Sequence, residues 1–517
     1  MDEPDNHGTF FARLRPRGIQ SEMGKVAALP PHLNWWLILG VMILLLSRQA
    51  GYAQDDRTTQ DASSAVNGGW ITGPASNPLS YLNGPAFRTS GPPTSYGFRD
   101  FRPMSLIDGK LPNWLKLEAE ERFRFEGITN GALKQGNDDS YSLNRLRLQI
   151  DLQFSHLFKA VSQFQDSRPF QQNPPIGPPN ENRMDLKLAY VQIGDPEITW
   201  FCFRVGRQLL NLNNTLLANS EWRNQGRSYD AVAAYMRYGR FDTAVFAASI
   251  LVPQDVGISP HHEGNNVYGI YGKYDDLKLK ATVNPFVLWR VQPSVSLAPS
   301  ISSATGKQDM KVYGARWRGV LTESLDYSLE LILERGKDGT QQIRAWAYSG
   351  GLSYQFKSTR LQPRPFWQYD IASGSGNPGD NTHRTFDTIY PTAHDRFGIM
   401  DLFGWQNLST WRFGTTAIPH RRWTVTAQYL SFSLRDTQDA LYNSSGGVAA
   451  KGFTGNGTYI GNETDAYSWY ELNKHVNIGG GFGSFRAGSL LEHVSNSGSS
   501  MGPYFSVNFK DNGKSAE

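Results

Sequence analysis

Apolar and polar residues alternate strictly over several long stretches of the chain. In NRLRLQIDLQF, residues 144–154, every second position is apolar and the positions between are charged or carry an amide. WLKLEAEERFRFE, residues 114–126, repeats the pattern, with Glu121 as the one exception. Successive side chains of a strand point to opposite faces, so each segment is predicted to be a strand with one apolar and one charged face. The charged faces contain four arginines: Arg122, Arg124, Arg145 and Arg147.

The same alternation returns along the chain, as in LDYSLELILE, residues 325–334, and RWTVTAQY, residues 422–429. Alternating segments of about 10 residues separated by turns are typical of strands that cross an outer membrane as a closed barrel. Counting such segments as far as PYFSVNF near the C terminus gives about 16 to 18 strands. The pattern therefore predicts an all-β transmembrane antiparallel β-barrel of about 18 strands with long extracellular loops.

The composition favours this barrel over other all-β folds. Hydrophobic residues make up 39% of 517 residues, which suits a barrel with a polar interior and an apolar outer band. The 23 Tyr, 28 Phe and 14 Trp residues favour strands. A series of β-sandwich domains would also alternate, but its strands are shorter. A propeller would show an internal repeat, and we find none.

The N-terminal region predicts export. The apolar run WWLILGVMILLL, residues 35–46, is shorter than the about 20 residues of a membrane-spanning helix. Gly51 and Ala53 suit cleavage before Gln54. We therefore expect a signal peptide over 1–53, with Met23 as an alternative start and an uncleaved membrane anchor as the alternative interpretation.

The rest of the chain divides by composition into three parts. Residues 54–112 are rich in Gly, Pro and Ser and show no periodicity, so this segment is predicted to be flexible or periplasmic. The outer-membrane barrel is predicted over 113–510, followed by a C-terminal tail over 511–517.

Charge and cysteine content exclude two classes of function. The net charge of +4 comes from 51 basic and 47 acidic residues, a balance that gives no support for nucleic-acid binding. The single cysteine, Cys202, excludes an intrachain disulfide and a multi-cysteine metal site. His261 and His262 are adjacent in a predicted loop and lack the spacing of metal ligands. We expect neither a metal nor a cofactor.

Two blocks of the chain resemble the alginate-export family of outer-membrane barrels. The block over 206–232 contains Gly-Arg-Gln, then Trp-Arg-Asn, then Arg-Ser-Tyr-Asp, similar to the family's Gly-Arg-Gln, Trp-x-Asn and Arg-x-Phe-Asp. The block over 369–408 resembles its Ala-Ser-Gly-to-Tyr-Pro loop and the strand after it, and DALY at 439–442 is a weaker match. The resemblance extends from Trp114 to Phe509.

This resemblance implies an outer-membrane channel that passes an anionic polysaccharide or smaller anionic saccharides through an arginine-rich lumen. Guanidinium stays charged and offers a planar fork to carboxylates, and successive weak sites let a polyanion move without being trapped. Simple alternation from Val205 places Arg207 on the apolar face, so we expect it at a strand end or beyond a bulge. The positions that match the family pattern are Arg122, Arg124, Arg145, Arg147, Arg207, Arg223, Arg227 and Asp230.

Several alternatives remain open at this stage. A general diffusion porin would share the fold without the specificity. A secreted adhesin and an outer-membrane enzyme such as a lipase are rivals from other classes, and the sequence shows no Gly-x-Ser-x-Gly motif. For each arginine, bracing the wall through cross-strand ion pairs is the alternative to a transport role. We expect no catalysis, and the expected partners are an anionic polysaccharide or oligosaccharide, outer-membrane lipid and periplasmic secretion or assembly proteins.

Overall fold

The computed structural model describes most of the chain from Lys110 to Asp511. The described residues are 107, 110–173, 179–195, 199–210, 216–276, 278–296, 305–376, 380–453, 457–473, 475–492 and 498–511. The predicted signal peptide, nearly all of the segment over 54–112 and residues 512–517 of the predicted tail lie outside the described residues.

Within the described residues, eighteen long strands form one closed antiparallel sheet. The strands are β1 (Leu115–Ile128), β2 (Asp139–Gln153), β3 (Phe158–Phe170), β4 (Asn182–Ile193), β5 (Phe201–Gln208), β6 (Tyr229–Tyr238), β7 (Phe241–Leu251), β8 (His261–Asp276), β9 (Ala281–Ser296), β10 (Thr305–Val320), β11 (Leu325–Asp338), β12 (Gln341–Tyr354), β13 (Arg364–Ala372), β15 (Leu408–His420), β16 (Trp423–Leu434), β19 (Tyr459–Glu471), β20 (Val476–Ala487) and β21 (Ser500–Asp511). Each strand pairs with its neighbours in chain order, and β21 pairs with β1, so no strand edge is left open. The predicted barrel of about 18 strands is confirmed.

Short elements occupy the connections between the long strands. They are β14 (Thr382–His383), β17 (Leu441–Tyr442), β18 (Val448–Ala450), a 3-10 turn (Gly131–Leu133) and a one-turn helix (Ser489–Glu492). β14 runs parallel to the start of β12, and β17 pairs with β18 as a small separate hairpin. Among the residues placed in the structure, no helix is long and apolar enough to span a membrane.

The alternation of the first two strands sorts their side chains between the outer surface and the interior. On β2, Leu148 is 47% exposed on the outside, whereas Arg145 and Arg147 are each 4% exposed and point inward. The register places Arg122 of β1 opposite Arg145 and Glu120 opposite Arg147. The apolar face of NRLRLQIDLQF therefore lies on the outer surface of the barrel, and its arginines lie inside.

Connections differ strongly between the two ends of the barrel. At one end the strands are joined by short turns, such as 239–240, 321–324 and 421–422. At the other end, the connections over 209–228, 373–407 and 435–458 are far longer and carry many fully buried side chains. A buried chain segment needs partners for its backbone groups, and these connections find them inside the barrel.

One arc of the interior carries a continuous set of apolar side chains among buried polar ones such as Arg290, Glu330 and Glu334, which corrects the expectation of a polar interior all round. Inward side chains of β6–β12 pack with Leu216, Phe386 and Tyr390 of the long connections in one cluster. The inward residues of this apolar arc include Ala231, Ala233, Tyr235, Phe246, Val267, Phe286, Leu288, Met310, Val312, Ile332 and Ala345. β7 has an apolar outer surface on one face and this cluster on the other, so AVFAASIL at 244–251 is a nearly continuous apolar run. The connections need an apolar surface to pack against, and this arc supplies it.

The remaining arc, formed by β1–β5, β13, β15, β16 and β19–β21, is polar inside. Its buried inward residues include Arg122, Arg124, Arg145, Arg147, Lys187, Asp370, Arg412, Gln428, Asp465 and Ser506. Buried charged groups need partners, and the long connections provide many of these. The interior is thus divided into an apolar arc that anchors the connections and a polar arc that faces them.

Candidate functional site

Two inward segments meet across the interior. The first inward segment is residues 216–228, which precede β6, and the second is residues 386–403, which precede β15. They run parallel where Leu217 lies beside Tyr390: the Ala218 amide donates to the Tyr390 carbonyl at 2.9 Å, and the Tyr390 amide donates to the Leu216 carbonyl at 2.8 Å. The two segments therefore form one joined unit.

Arg227 strengthens this junction. Its Nη1 donates to the carbonyl of Ala218 at 3.0 Å in the first segment, and to those of Tyr390 at 2.7 Å and Pro391 at 3.2 Å in the second. A charged donor forms stronger hydrogen bonds than a neutral one. One guanidinium thus ties three carbonyls of two separate connections.

The first segment is attached to β2 and β4 through Glu221. A Glu221 carboxylate oxygen lies 2.6 Å from Arg147 Nη1 and 3.3 Å from Arg145 Nη1, and the other lies 3.8 Å from Lys187 Nζ. Burial raises the pKa of the Glu221 carboxyl, but the two guanidinium groups in contact with it favour its charged form.

β1 binds the backbone of the same segment. Arg122 donates to the carbonyls of Glu221 at 2.7 Å and Arg223 at 3.0 Å, and Arg124 donates to that of Trp222. The side chain of Asn224 completes the attachment by donating to the carbonyl of Asn144 at 3.0 Å. The arginine-rich wall thus fixes residues 221–224 against β1 and β2.

The second segment is attached to other parts of the barrel. Asp395 binds Arg412 of β15 at 3.0 Å and accepts hydrogen bonds from Tyr467 of β19 and Gln428 of β16. At the apolar arc, Asp387 binds Arg290 of β9 at 2.6 Å. The second segment is therefore held from β9 round to β19, opposite the wall that holds the first.

Trp222 lies where the two segments and β21 converge. Its indole stacks on His394 with 3.7 Å between ring centroids and 11° between planes, while the Arg124 guanidinium lies 4.0 Å from the ring centroid. Tyr504 of β21 meets its edge at 5.1 Å between centroids. Cation–π and edge-to-face contacts both fix an indole in place, and His394 is itself held by Asp401 at 3.0 Å.

Two cavities lie on either side of this aromatic group, both beside the β1–β21 pair that closes the barrel. The outer cavity has a volume of about 260 Å³ and borders Arg124, Arg223 and Asp401. The inner cavity, about 50 Å³, borders Arg122, Asp395 and Asn508. Trp222, His394 and Tyr504 line both cavities. These three rings therefore lie between the two cavities.

Comparison of the sequence with protein families identifies one match. The alginate export family matches residues 113–505, which is most of the chain. The chain belongs to the alginate export family. It is accordingly an outer-membrane channel protein. Sequence comparison with curated proteins gives no match.

Solved structures show the same barrel in distant porins. OccK3 (OpdO) of Pseudomonas aeruginosa is 10% identical and has a TM-score of 0.53, covering 79% of this chain and 98% of its own. OccAB2 of Acinetobacter baumannii is also 10% identical with a TM-score of 0.53, covering 77% and 97%. Pseudomonas aeruginosa OpdK, solved with vanillate, is 10% identical with a TM-score of 0.51, covering 76% and 98%. At these identities the likeness is one of fold.

The structure separates the family-matched arginines into three groups. Arg122, Arg124 and Arg223 border the cavities, and Arg223 also donates to Ser445 at 2.9 Å. Arg145 and Arg147 lie behind Glu221, and Arg227 joins the two inward segments. These six residues thus come together around the two segments of this family member.

Arg207 and Asp230 form a separate pair. Arg207 is the penultimate residue of β5 and is buried, and its Nε lies 2.9 Å from Asp230 Oδ1. The preceding Gly206 has φ +118°, a backbone conformation open to glycine that changes the side-chain direction after Val205. Neither Arg207 nor Asp230 borders the two cavities.

Four residues at or beside the boundary between the two cavities were not predicted as site residues: Glu221, Trp222, His394 and Tyr504. Trp222 is the first residue of the Trp-Arg-Asn motif in the family block over 206–232, and Glu221 directly precedes it, but the sequence analysis assigned a role to neither. His394 and Tyr504 carry no local signal, because their importance comes from contacts with distant parts of the chain.

Other chemistry receives no support from the described residues. His261 and His262 are exposed at the start of β8 rather than in a loop. Among the residues the structure places, no group of three or more His, Cys, Asp or Glu is arranged to hold a metal ion.

Proposed function

We propose that this outer-membrane channel passes anionic saccharides, either an alginate-like polyuronate or shorter acidic oligosaccharides. The observation that carries the proposal is that a guanidinium group borders each cavity on the path: Arg124 and Arg223 the outer one, and Arg122 the inner one. A sugar carboxylate moving inward would exchange one guanidinium for the next. Guanidinium–carboxylate pairs are strong and geometrically specific.

Acidic residues beside the same path support transport rather than tight binding. Glu126 and Asp401 border the outer cavity, and Asp395 borders the inner one. Glu126 lies 2.5 Å from Arg124, so this arginine is already partly compensated. Conduction requires sites that attract the solute but also release it, and arginines with acidic partners meet both conditions.

The described conformation is closed to a saccharide. The inner cavity, at about 50 Å³, holds only a few water molecules, and the Trp222–His394 stack separates it from the outer cavity. Passage of a sugar ring therefore requires the first inward segment to shift. The transported solute would enter from the outer cavity side or leave by it.

Planar-bilayer recording tests this function. We expect the wild-type channel to be anion-selective in a KCl gradient, and trigalacturonate to reduce its chloride current more than maltotriose does. In the double variant Arg124→Gln/Arg223→Gln, selectivity and saccharide block should both fall. Arg168→Gln is the matched control, because Arg168 is exposed on the outward face of β3.

A cation-selective wild-type pore that is indifferent to trigalacturonate would contradict the proposal. So would a double variant that keeps the selectivity and block of the Arg168→Gln control.

General diffusion is the second candidate, and the mixed charge of the outer cavity favours it. Arg124 and Arg223 share that cavity with Glu126 and Asp401, so the net field on a solute is weaker than the arginines alone would give. Swelling of proteoliposomes in glucose and in glucuronate, at equal concentration, separates the two functions. Equal rates indicate general diffusion, and a faster rate in glucuronate indicates an anion channel.

A further inference from the structure

The wall behind the first inward segment carries more positive than negative charge. Arg122, Arg145, Arg147 and Lys187 are buried in contact with this segment, and the acidic side chains that pair with them are Glu120 and Glu221. Glu120 belongs to β1 and is part of the wall. Glu221 belongs to the inward segment and is the one acidic partner in this group that the wall does not supply.

Glu221 is bound as a small carboxylate ligand would be bound. One of its oxygens contacts both guanidinium groups, at 2.6 Å from Arg147 and 3.3 Å from Arg145, and the other faces the Lys187 ammonium at 3.8 Å. Two guanidiniums and an ammonium that converge on one carboxylate, all nearly excluded from solvent, form a carboxylate site. The carboxylate bound in this site, that of Glu221, belongs to the same chain.

We propose that Arg145, Arg147 and Lys187 form a carboxylate-binding subsite that Glu221 occupies in the closed channel and that a uronate carboxylate of the cargo takes over. Glu221 is thus an internal substitute for the solute. This inference rests on the proposed function, since it assumes a carboxylate-bearing cargo. It adds to that function a specific subsite for which Glu221 and the cargo carboxylate compete.

The competition is coupled to the closure of the path through the neighbouring residue. Trp222 directly follows Glu221 and separates the two cavities. When a cargo carboxylate displaces Glu221, the segment loses its ionic attachment to β2 and β4 and keeps its backbone bonds to Arg122 and Arg124. Arg145 also keeps its bond to the Glu221 carbonyl, and Asn224 its bond to Asn144, so the segment stays on the wall. The loss of the ionic attachment loosens it around Trp222, and the cavities join when the indole moves off His394.

The cargo would in this way open its own path. A neutral sugar has no group that competes with Glu221, so it leaves the segment in place. Discrimination between acidic and neutral saccharides then comes from opening as well as from attraction by the lumenal arginines. The specificity then depends on the difference between the affinities of the subsite for the cargo carboxylate and for the Glu221 carboxylate.

Binding of a small carboxylate tests the subsite. Glu221→Ala empties it, and we expect a larger chloride current than in the wild type because the first segment is released. Millimolar acetate should then bind in the emptied subsite and lower the chloride current saturably, because it neutralises positive charge beside the path; acetate is not joined to the segment, so it should not restore the wild-type closure. The wild-type channel, with the subsite occupied, should not respond to acetate.

Two further variants make the test specific. Glu221→Gln keeps the size of the side chain and removes its charge, so it should resemble Glu221→Ala and should bind trigalacturonate about tenfold more tightly than the wild type, which corresponds to about 1.4 kcal/mol. In Glu221→Ala/Arg147→Gln the acetate response should be lost. Glu323→Ala is the control for loss of a carboxylate, since Glu323 is 90% exposed in a short turn.

Heat-modifiable migration on gels shows whether each variant forms a folded barrel, and currents are compared among folded variants. A Glu221→Ala channel with wild-type current and no acetate response overturns the subsite. Wild-type behaviour of Glu221→Gln overturns the charge-based attachment. Acetate sensitivity that survives Arg147→Gln also overturns the assignment.

The failure of this inference is distinguishable from the failure of the proposed function. The acetate response is measured with chloride current alone and needs no saccharide. A wild-type channel without anion selectivity or trigalacturonate block would contradict the function, whatever acetate does. A selective, blockable wild type whose Glu221 variants behave normally would contradict the inference alone.

Discussion

Trp222 and His394 stack face to face, with 3.7 Å between their ring centroids. Each ring comes from a different connection, and each connection is bound to a different part of the barrel wall. Trp222 is held by Arg124 of β1, and Asp395, next to His394, is held by Arg412 of β15. The stack is therefore the point at which two independently anchored segments close the path.

Replacing Trp222 should join the two cavities. In Trp222→Ala the indole that borders both is removed, and we expect the single-channel conductance to rise by roughly twofold or more, because a narrow aromatic constriction limits the flow of ions. Single-channel recording in KCl measures it. Trp200→Ala is the control, since Trp200 is 72% exposed and lines neither cavity. An unchanged conductance in a folded Trp222→Ala barrel would show that the path lies elsewhere.

Gly398 is predicted to be required for the shape of the second inward segment. It has φ +92°, and a Cβ there would lie 2.1 Å from Glu463 Oε1. Gly398→Ala should displace residues 398–400 and break the hydrogen bond from the Met400 amide to Glu463. We expect lower barrel stability and altered gating, measured by the urea midpoint in detergent and by single-channel recording.

Gly452→Ala is a closely matched control for that substitution. Gly452 has φ +86°, but no atom lies within 4 Å of an added Cβ. It therefore adds only the backbone strain, which for alanine at positive φ exceeds about 0.4–1 kcal/mol. Equal losses of stability in the two variants would mean that the contact with Glu463 does not contribute to the loss in Gly398→Ala.

Arg227 is predicted to hold the two inward segments together. Arg227→Gln removes three hydrogen bonds to carbonyls. Those of Ala218 and Tyr390 keep the Tyr229 hydroxyl and the Ala218 amide as donors, whereas a buried carbonyl that loses its donor, as that of Pro391 does, costs about 1–3 kcal/mol. Local opening should then become more frequent. Limited proteolysis of proteoliposomes should cut the variant faster within 216–228 or 386–403. Arg360→Gln, at an exposed site in a turn, is the control, and equal cleavage rates in both variants would contradict the prediction.

Arg207 and Asp230 are predicted to matter for stability rather than for transport. Two hydrogen bonds join them, at 2.9 and 3.2 Å, and Asp230 is 33% exposed, which weakens the pair through solvent screening. A double-mutant cycle with Arg207→Gln and Asp230→Asn should give a coupling of about 1 kcal/mol in urea unfolding. Conductance and anion selectivity should stay at wild-type values. A large change in selectivity would show that these residues take part in transport.

Much of the wall of the barrel could be predicted from local sequence. The two-residue period of β1 and β2 alone places Arg122, Arg124, Arg145 and Arg147 on the face opposite the lipid-facing leucines, and the structure has them inside. The face on which Arg207 lies was harder to predict, because Gly206 changes the side-chain direction within β5. The apolar inner faces of β6–β12 were not predicted, although runs such as 244–251 lack the alternation of a strand that lines water.

The sequence by itself determined that the chain is a lipid-facing barrel with arginines on its inner face, because alternation and turn residues act over neighbouring positions. Only the tertiary structure decided what those arginines touch. Arg122 and the Glu221 carbonyl that it binds are separated by 99 positions, and Asp395 and Arg412 lie on different elements. Such contacts depend on the way in which the long connections fold back inside the closed wall, and no local sequence pattern predicts that. The same arginines that look free in the sequence are therefore, in the folded protein, the groups that hold the inward segments in place.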